Sequence, residues 1–89
     1  MILANVERGN AKEVAKMILE GHKSNVISSS TRINDQNNVI AEIIYKNSSE
    51  LHNILEQVKQ SPYVSSATWS ELVEIVGNND APIISALSR

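Results

Sequence analysis

Few side chains in this chain could carry chemistry, and their spacing does not bring them together. His22 and His52 are the two histidines, each near the end of an expected helix, with no carboxylate or second histidine at ligand spacing. A zinc site needs several nitrogen or sulfur ligands. The absence of cysteine removes thiolate metal sites, disulfides and a cysteine nucleophile together. The run Ser28-Ser-Ser30 has no Gly-x-Ser-x-Gly elbow and no histidine close in sequence, so a solvated strand face is its better reading. Glu71 and Glu74 stand three apart, which in a strand sends them to opposite faces. Gly9, Gly21 and Gly77 are the three glycines, too dispersed for a phosphate-cradling loop. The expectation is no catalytic residue, no metal and no cofactor: not an enzyme.

Polar recognition is a separate question. Asn34-Asp-Gln-Asn-Asn38 is a run whose side chains tolerate left-handed backbone and bond locally. A small zwitterion such as an amino acid needs acceptors for its ammonium and donors for its carboxylate. Asp35 could supply the first; Asn37, Asn38 and backbone amides could supply the second, with Thr68 and Ser70 as further polar contacts. The same loop also makes an ordinary hairpin tip, the simpler account on these residues alone.

The elements that must position this loop repeat one unit. An apolar run, Met1–Val6, leads to Asn10-Ala-Lys-Glu13, an amphipathic stretch and a β-type run, Asn25–Ile33. Val39–Tyr45 then leads to Asn47-Ser-Ser-Glu50, a second amphipathic stretch and a last β-type run, Thr68–Val76. Both Asn-x-x-Glu tetrads have capping-box character. Ala11, Val14, Ala15, Ile18 and Leu19 form one apolar stripe on the first helix, and Leu51, Ile54, Leu55 and Val58 form one on the second. Gly21 is the expected C-terminal cap of the first helix, and Pro62 should stop the second by Gln60 or Ser61. Right-handed crossovers then give an α+β, ferredoxin-like βαββαβ fold, a four-stranded antiparallel sheet with both helices on one face. Residues 1–78 are expected to form the domain and residues 79–89 a C-terminal tail.

Strand patterning adds an expectation about assembly. In Val39–Tyr45, Val39, Ala41, Ile43 and Tyr45 share one face, while Ile40, Glu42 and Ile44 share the other. Helices on one side cover only one face, and a wetted face normally alternates more cleanly than this. Ile40, Ile44, Leu72 and Val76 are therefore expected at a homodimer interface, in a dimeric α/β sandwich.

Charge narrows the partners. Ten acidic against eight basic residues give a formal net charge of −2, and the bases Arg8, Lys12, Lys16 and Lys23 are interleaved with Glu7, Glu13 and Glu20. Duplex binding rests on a basic stripe that neutralises phosphates, so no direct nucleic-acid binding is expected. No apolar run approaches the roughly 20 residues of a membrane span, and no signal-peptide layout is present. The expected compartment is the cytoplasm.

Three stretches resemble the effector domain of the Lrp/AsnC family of feast/famine regulators, the RAM domain. Leu51-His-Asn-Ile-Leu-Glu-Gln-Val-Lys-Gln-Ser-Pro-Tyr-Val64 is similar to the family's second helix and following turn. Thr68-Trp-Ser-Glu-Leu-Val-Glu-Ile-Val76 is similar to its closing strand. Asp35-Gln-Asn-Asn-Val-Ile40 occupies the place of its Gly-Asp-Tyr-Asp hairpin, with Asp35 for the glycine, Asn38 for the second acid and Tyr63 for a glycine in the later turn. The resemblance covers Val39 to Gly77; Met1–Ile33 agrees only in pattern. It implies dimers joined through the open sheet face, rings of dimers, and an amino-acid-like effector bound between dimers near Asp35, Asn37, Asn38, Thr68 and Ser70. It implies partnership with full-length regulators of this type, whether the chain is a stand-alone module or the effector half of one. The competing expectation is a ferredoxin-like protein-interaction or chaperone module with no small-molecule ligand.

Overall fold

Ile2–Val6 forms a strand, β1, in which burial alternates: Ile2, Ala4 and Val6 are buried, and Leu3 and Asn5 between them are half-buried. The computed structural model describes residues 1–33 and 35–71. Within them, β1 is followed by α1 (Ala11–Gly21), β2 (Val26–Thr31), β3 (Val39–Ile43), α2 (Ser48–Lys59) and β4 (Val64–Trp69). The four strands form one antiparallel sheet in the order β2-β3-β1-β4. This is the expected ferredoxin-like order: each βαβ unit inserts one strand centrally and one at an edge.

Val14, Ala15 and Ile18 of α1 and Ile54, Leu55 and Val58 of α2 meet Ile2, Ala4, Val6, Val39 and Ala41 in a single core. Both helices thus cover the face shown by alternate strand residues. Leu51, also on the expected stripe of α2, is buried, whereas Leu19 of α1 is 41% exposed. The stripe of α1 is narrower than its sequence pattern.

The two helix starts differ. Asn47 is extended, at φ −157° and ψ 173°, and its side chain accepts a hydrogen bond from the Glu50 N–H at 2.9 Å. Asn10 makes no such bond. Gly9 has φ +93°, which only glycine adopts cheaply, and the turn closes with the Asn10 N–H donating to the Glu7 carbonyl at 3.0 Å. That turn leaves Asn10 at φ −111° and ψ 2°, outside the extended region from which a capping side chain reaches its amide. The other end of α1 also departs from expectation. Gly21 is its last helical residue, and His22 is the cap, its N–H donating to the Ile18 carbonyl at 3.2 Å.

The last strand starts earlier than its hydrophobic pattern suggests. Pro62 ends α2 as expected, and a tight turn follows at once: the Val64 N–H donates to the Ser61 carbonyl at 3.1 Å, and the Glu7 N–H to the Tyr63 carbonyl at 2.9 Å. Val64 is thereby laid beside Val6, and β4 runs to Trp69 rather than beginning at Thr68. Ser65 and Ser66 disguise this strand because they lie on an exposed edge, with a register shift opposite Asn5 and Val6. Leu72–Val76 and the expected tail lie outside the described residues.

The Ser61 hydroxyl is buried with no hydrogen-bond partner. An unsatisfied buried polar group is destabilising, so Ser61→Ala should raise stability by up to about 1 kcal/mol. A urea midpoint at or below that of the parent would contradict this.

Candidate functional site

Strand register decides which of the expected site residues meet. The hairpin joining β2 to β3 lies at the Val39 end of β3, beside Val6 of β1. In it the Asp35 carboxylate accepts from the Asn37 N–H at 2.9 Å, a local turn that uses one of its oxygens. Both ends of the Asn38 amide hold Val6: its Oδ1 accepts from the Val6 N–H at 2.8 Å, and its Nδ2 donates to the Val6 carbonyl at 2.9 Å. The side-chain amide therefore does what a strand residue opposite Val6 would do, extending the β1–β3 ladder by one step. Asn38 is a structural clamp, its amide committed to Val6 at both ends.

Thr68 and Ser70 are elsewhere. Thr68 pairs with Leu3 on edge strand β4, with β1 between it and the β3 arm of the hairpin. Ser70 is farther along still, its N–H donating to the Met1 carbonyl at 2.9 Å and its carbonyl accepting from the Met1 ammonium at 2.8 Å. Within one chain, the hairpin and these hydroxyls do not converge.

Among the described residues, the sheet face away from α1 and α2 is more polar than expected. By register it presents Leu3, Asn5, Ser28, Ser30, Ile40, Glu42, Ser66 and Thr68. Ile40 was expected to face water in a lone chain, but it is only 8% exposed, held on a central strand between Leu3 and Ser30. Ile44 is 64% exposed yet is not part of the sheet, since β3 ends at Ile43 and the Ile44 N–H donates to the Asn25 carbonyl at 2.7 Å. Leu72 and Val76 lie outside the described residues. Ser28 and Ser30 are solvated as the serine run predicted, whereas Ser29 turns to the helix side and its hydroxyl donates to the Ala15 carbonyl at 2.8 Å.

The end of the sheet away from the hairpin holds a constellation that the residue pattern did not reveal. A cavity of about 380 Å³ is lined by Ser24, Asn25, Ile44, Tyr45, Lys46 and Glu50. Asn25 ties its walls together, because its Nδ2 donates to the Ile44 carbonyl at 2.9 Å and to Glu50 Oε1. Glu50 does not reach back to close the capping box; the cavity uses it instead. Lys46 precedes the cap of α2, and the only ion pair among the described residues joins Lys59 to Glu56 at 3.4 Å. One ammonium, one carboxylate with an oxygen to spare, and the exposed apolar Ile44 thus border the same space. The available signal in the sequence was Lys46 and Glu50 flanking Asn47, but their convergence with Asn25 depends on the fold.

Among the described residues no cluster of histidine and acidic side chains could hold a metal ion, and no helix is long and apolar enough to cross a membrane. Comparison with known proteins returns no match, whether to a family model, a curated protein or a solved structure.

Proposed function

We infer that the chain is an effector-binding and oligomerisation module of an Lrp/AsnC-type transcriptional regulatory system, taking a small amino-acid-like zwitterion. The Lys46–Glu50 cavity carries this reading. Its volume lies within the ordinary range for small-ligand sites. Lys46 supplies a cation for a carboxylate, Glu50 an acceptor for an ammonium, and Ile44 with Tyr45 an apolar wall for a side chain. The ferredoxin-like sheet and the three stretches similar to RAM domains support the same class. The structural role of Asn38 weighs against an effector site centred on the hairpin, where Asp35 and Asn37 remain the available contacts. The helix-free face is the surface through which copies would associate, in dimers or rings of dimers, in the cytoplasm and beside full-length regulators. By register its apolar residues among those described are Leu3 and Ile40, with the exposed Ile27 beside Glu42 at the β2 edge, so that association draws on hydroxyl contacts as well.

The test is thermal unfolding and light scattering with each of the twenty amino acids at millimolar concentration. A ligand that prefers the native assembly raises the melting temperature by mass action. Lys46→Ala should abolish the response and Asp35→Ala should leave it. The reverse outcome would return the effector to the hairpin. No response to any amino acid would remove the effector reading, and a stable monomer at micromolar concentration would remove the assembly reading.

A further inference from the structure

Among the described residues the outer edge of β2 is unpaired, and its backbone polarity can be read from the ladder. The Arg32 N–H donates to the Asn38 carbonyl at 2.8 Å, with Thr31 opposite Val39 and Ser30 opposite Ile40. Inward and outward peptide groups alternate along an antiparallel strand. Ser30 and Arg32 therefore turn theirs to β3, and Ser29 and Thr31 turn theirs outward. Exposed edges are usually blunted by charge, proline or a bulge; Val26–Thr31 contains no charge or proline, and its register shift, between Val26 and Ser28, leaves Ser29–Thr31 in regular pairing.

Beside this edge runs a groove of about 360 Å³ between α1 and β2, lined by Lys12, Ala15, Lys16 and Leu19 on the helix and Ser29, Ser30 and Thr31 on the strand. Because α1 runs back along β2, Lys12 lies toward Thr31, and Leu19 lies toward the start of the strand. Neither lysine forms an ion pair with a described residue. Leu19 is half exposed, although it lies on the sequence stripe that should have been core.

We propose that this edge docks an extended segment of another protein as a fifth strand. The segment places an acidic side chain level with Lys12 and Lys16 and an apolar one level with Leu19. The main-chain groups of Ser29 and Thr31 supply generic strand affinity, and the helix side of the groove supplies selectivity, as in β-strand addition generally. The opposite edge, β4, fits less well. The cation beside it, Lys59, is already paired with Glu56 at 3.4 Å. A second copy is also a poorer occupant of the β2 edge, since pairing β2 with β2 sets the two lysines against their own copies. This inference is independent of the effector cavity, which lies at Asn25 and Glu50.

The probe is a capped, fluorescent heptapeptide, Thr-Glu-Thr-Leu-Thr-Glu-Thr, whose alternate residues put glutamate and leucine on one face. Its counterpart replaces both glutamates with lysine. The glutamate peptide should bind saturably by anisotropy and the lysine peptide should not. The double variant Lys12→Glu, Lys16→Glu should weaken binding by about tenfold. Thr31→Pro removes an outward N–H without breaking the β2–β3 ladder, a place where an edge strand tolerates proline, and should abolish binding. Amide shifts in the parent protein should centre on Ser29 and Thr31, a readout independent of any variant. Four results would overturn the inference: no binding at millimolar peptide, equal binding of both peptides, shifts centred elsewhere, or self-association of the chain that Thr31→Pro dissolves.

Discussion

Ile18→Ala should destabilise the domain by about 2–5 kcal/mol. Ile18 is 1% exposed and belongs to the largest fully buried side chains. It lies on α1 between Val14 and the cap at His22 and joins both βαβ units through the common core. A chain of 89 residues has little apolar surface to spare, and whole domains are stable by only about 5–15 kcal/mol. The variant should therefore approach the threshold of folding at physiological temperature. Urea unfolding reads this as a lower midpoint with an unchanged slope, the mark of lost stability rather than a changed unfolded state. Leu19→Ala is the internal control. Its neighbouring side chain is 41% exposed, so the change should stay within about 0.5 kcal/mol. Equal losses at the two positions would mean that α1 is rotated about its axis.

That contrast between Ile18 and Leu19 shows where the residue pattern was legible and where it was not. Periodicity identified both helices and their buried stripes because burying a continuous apolar face dominates the local energetics. It could not say how wide the stripe of α1 would be, since that depends on how closely the edge strand β2 approaches it. The cap at Asn47 was readable because its backbone is extended, the conformation from which a capping side chain reaches its amide. The cap at Asn10 was not, because the left-handed Gly9 turn sets its dihedrals first. The start of β4 was hidden because Ser65 and Ser66 carry no apolar signal, and their pairing follows from where the Ser61–Val64 turn delivers the chain. Ile40 is less exposed than its alternation suggests for a related reason: alternation names a face and does not fix how far a residue on it is covered. The candidate cavity was the least legible feature. Ile44, Lys46 and Glu50 lie in one stretch, but only the return of β3 past the start of β2 brings Asn25 to them.

Asn38→Asp should lower stability by about 1–3 kcal/mol at neutral pH. The two side chains have nearly the same shape and differ in what they offer Val6. The amide accepts from the Val6 N–H and donates to the Val6 carbonyl. A carboxylate keeps the first bond and sets a charged oxygen against the carbonyl in place of the second. The protonated acid could again donate, so folding favours protonation and raises the introduced group's pKa above the roughly 3.9 of an unfolded aspartate. Between those two values the folded state binds more protons than the unfolded one, so stability relative to the parent must rise as pH falls. Urea unfolding of the variant and the parent across pH 4 to 7 measures this directly. The gap should be widest at pH 7 and should narrow as the introduced acid protonates. A constant gap would mean that lost packing, not the donor to Val6, carries the effect. No gap at any pH would mean that Asn38 does not clamp β1, leaving its amide free for a ligand and restoring the hairpin as the effector site.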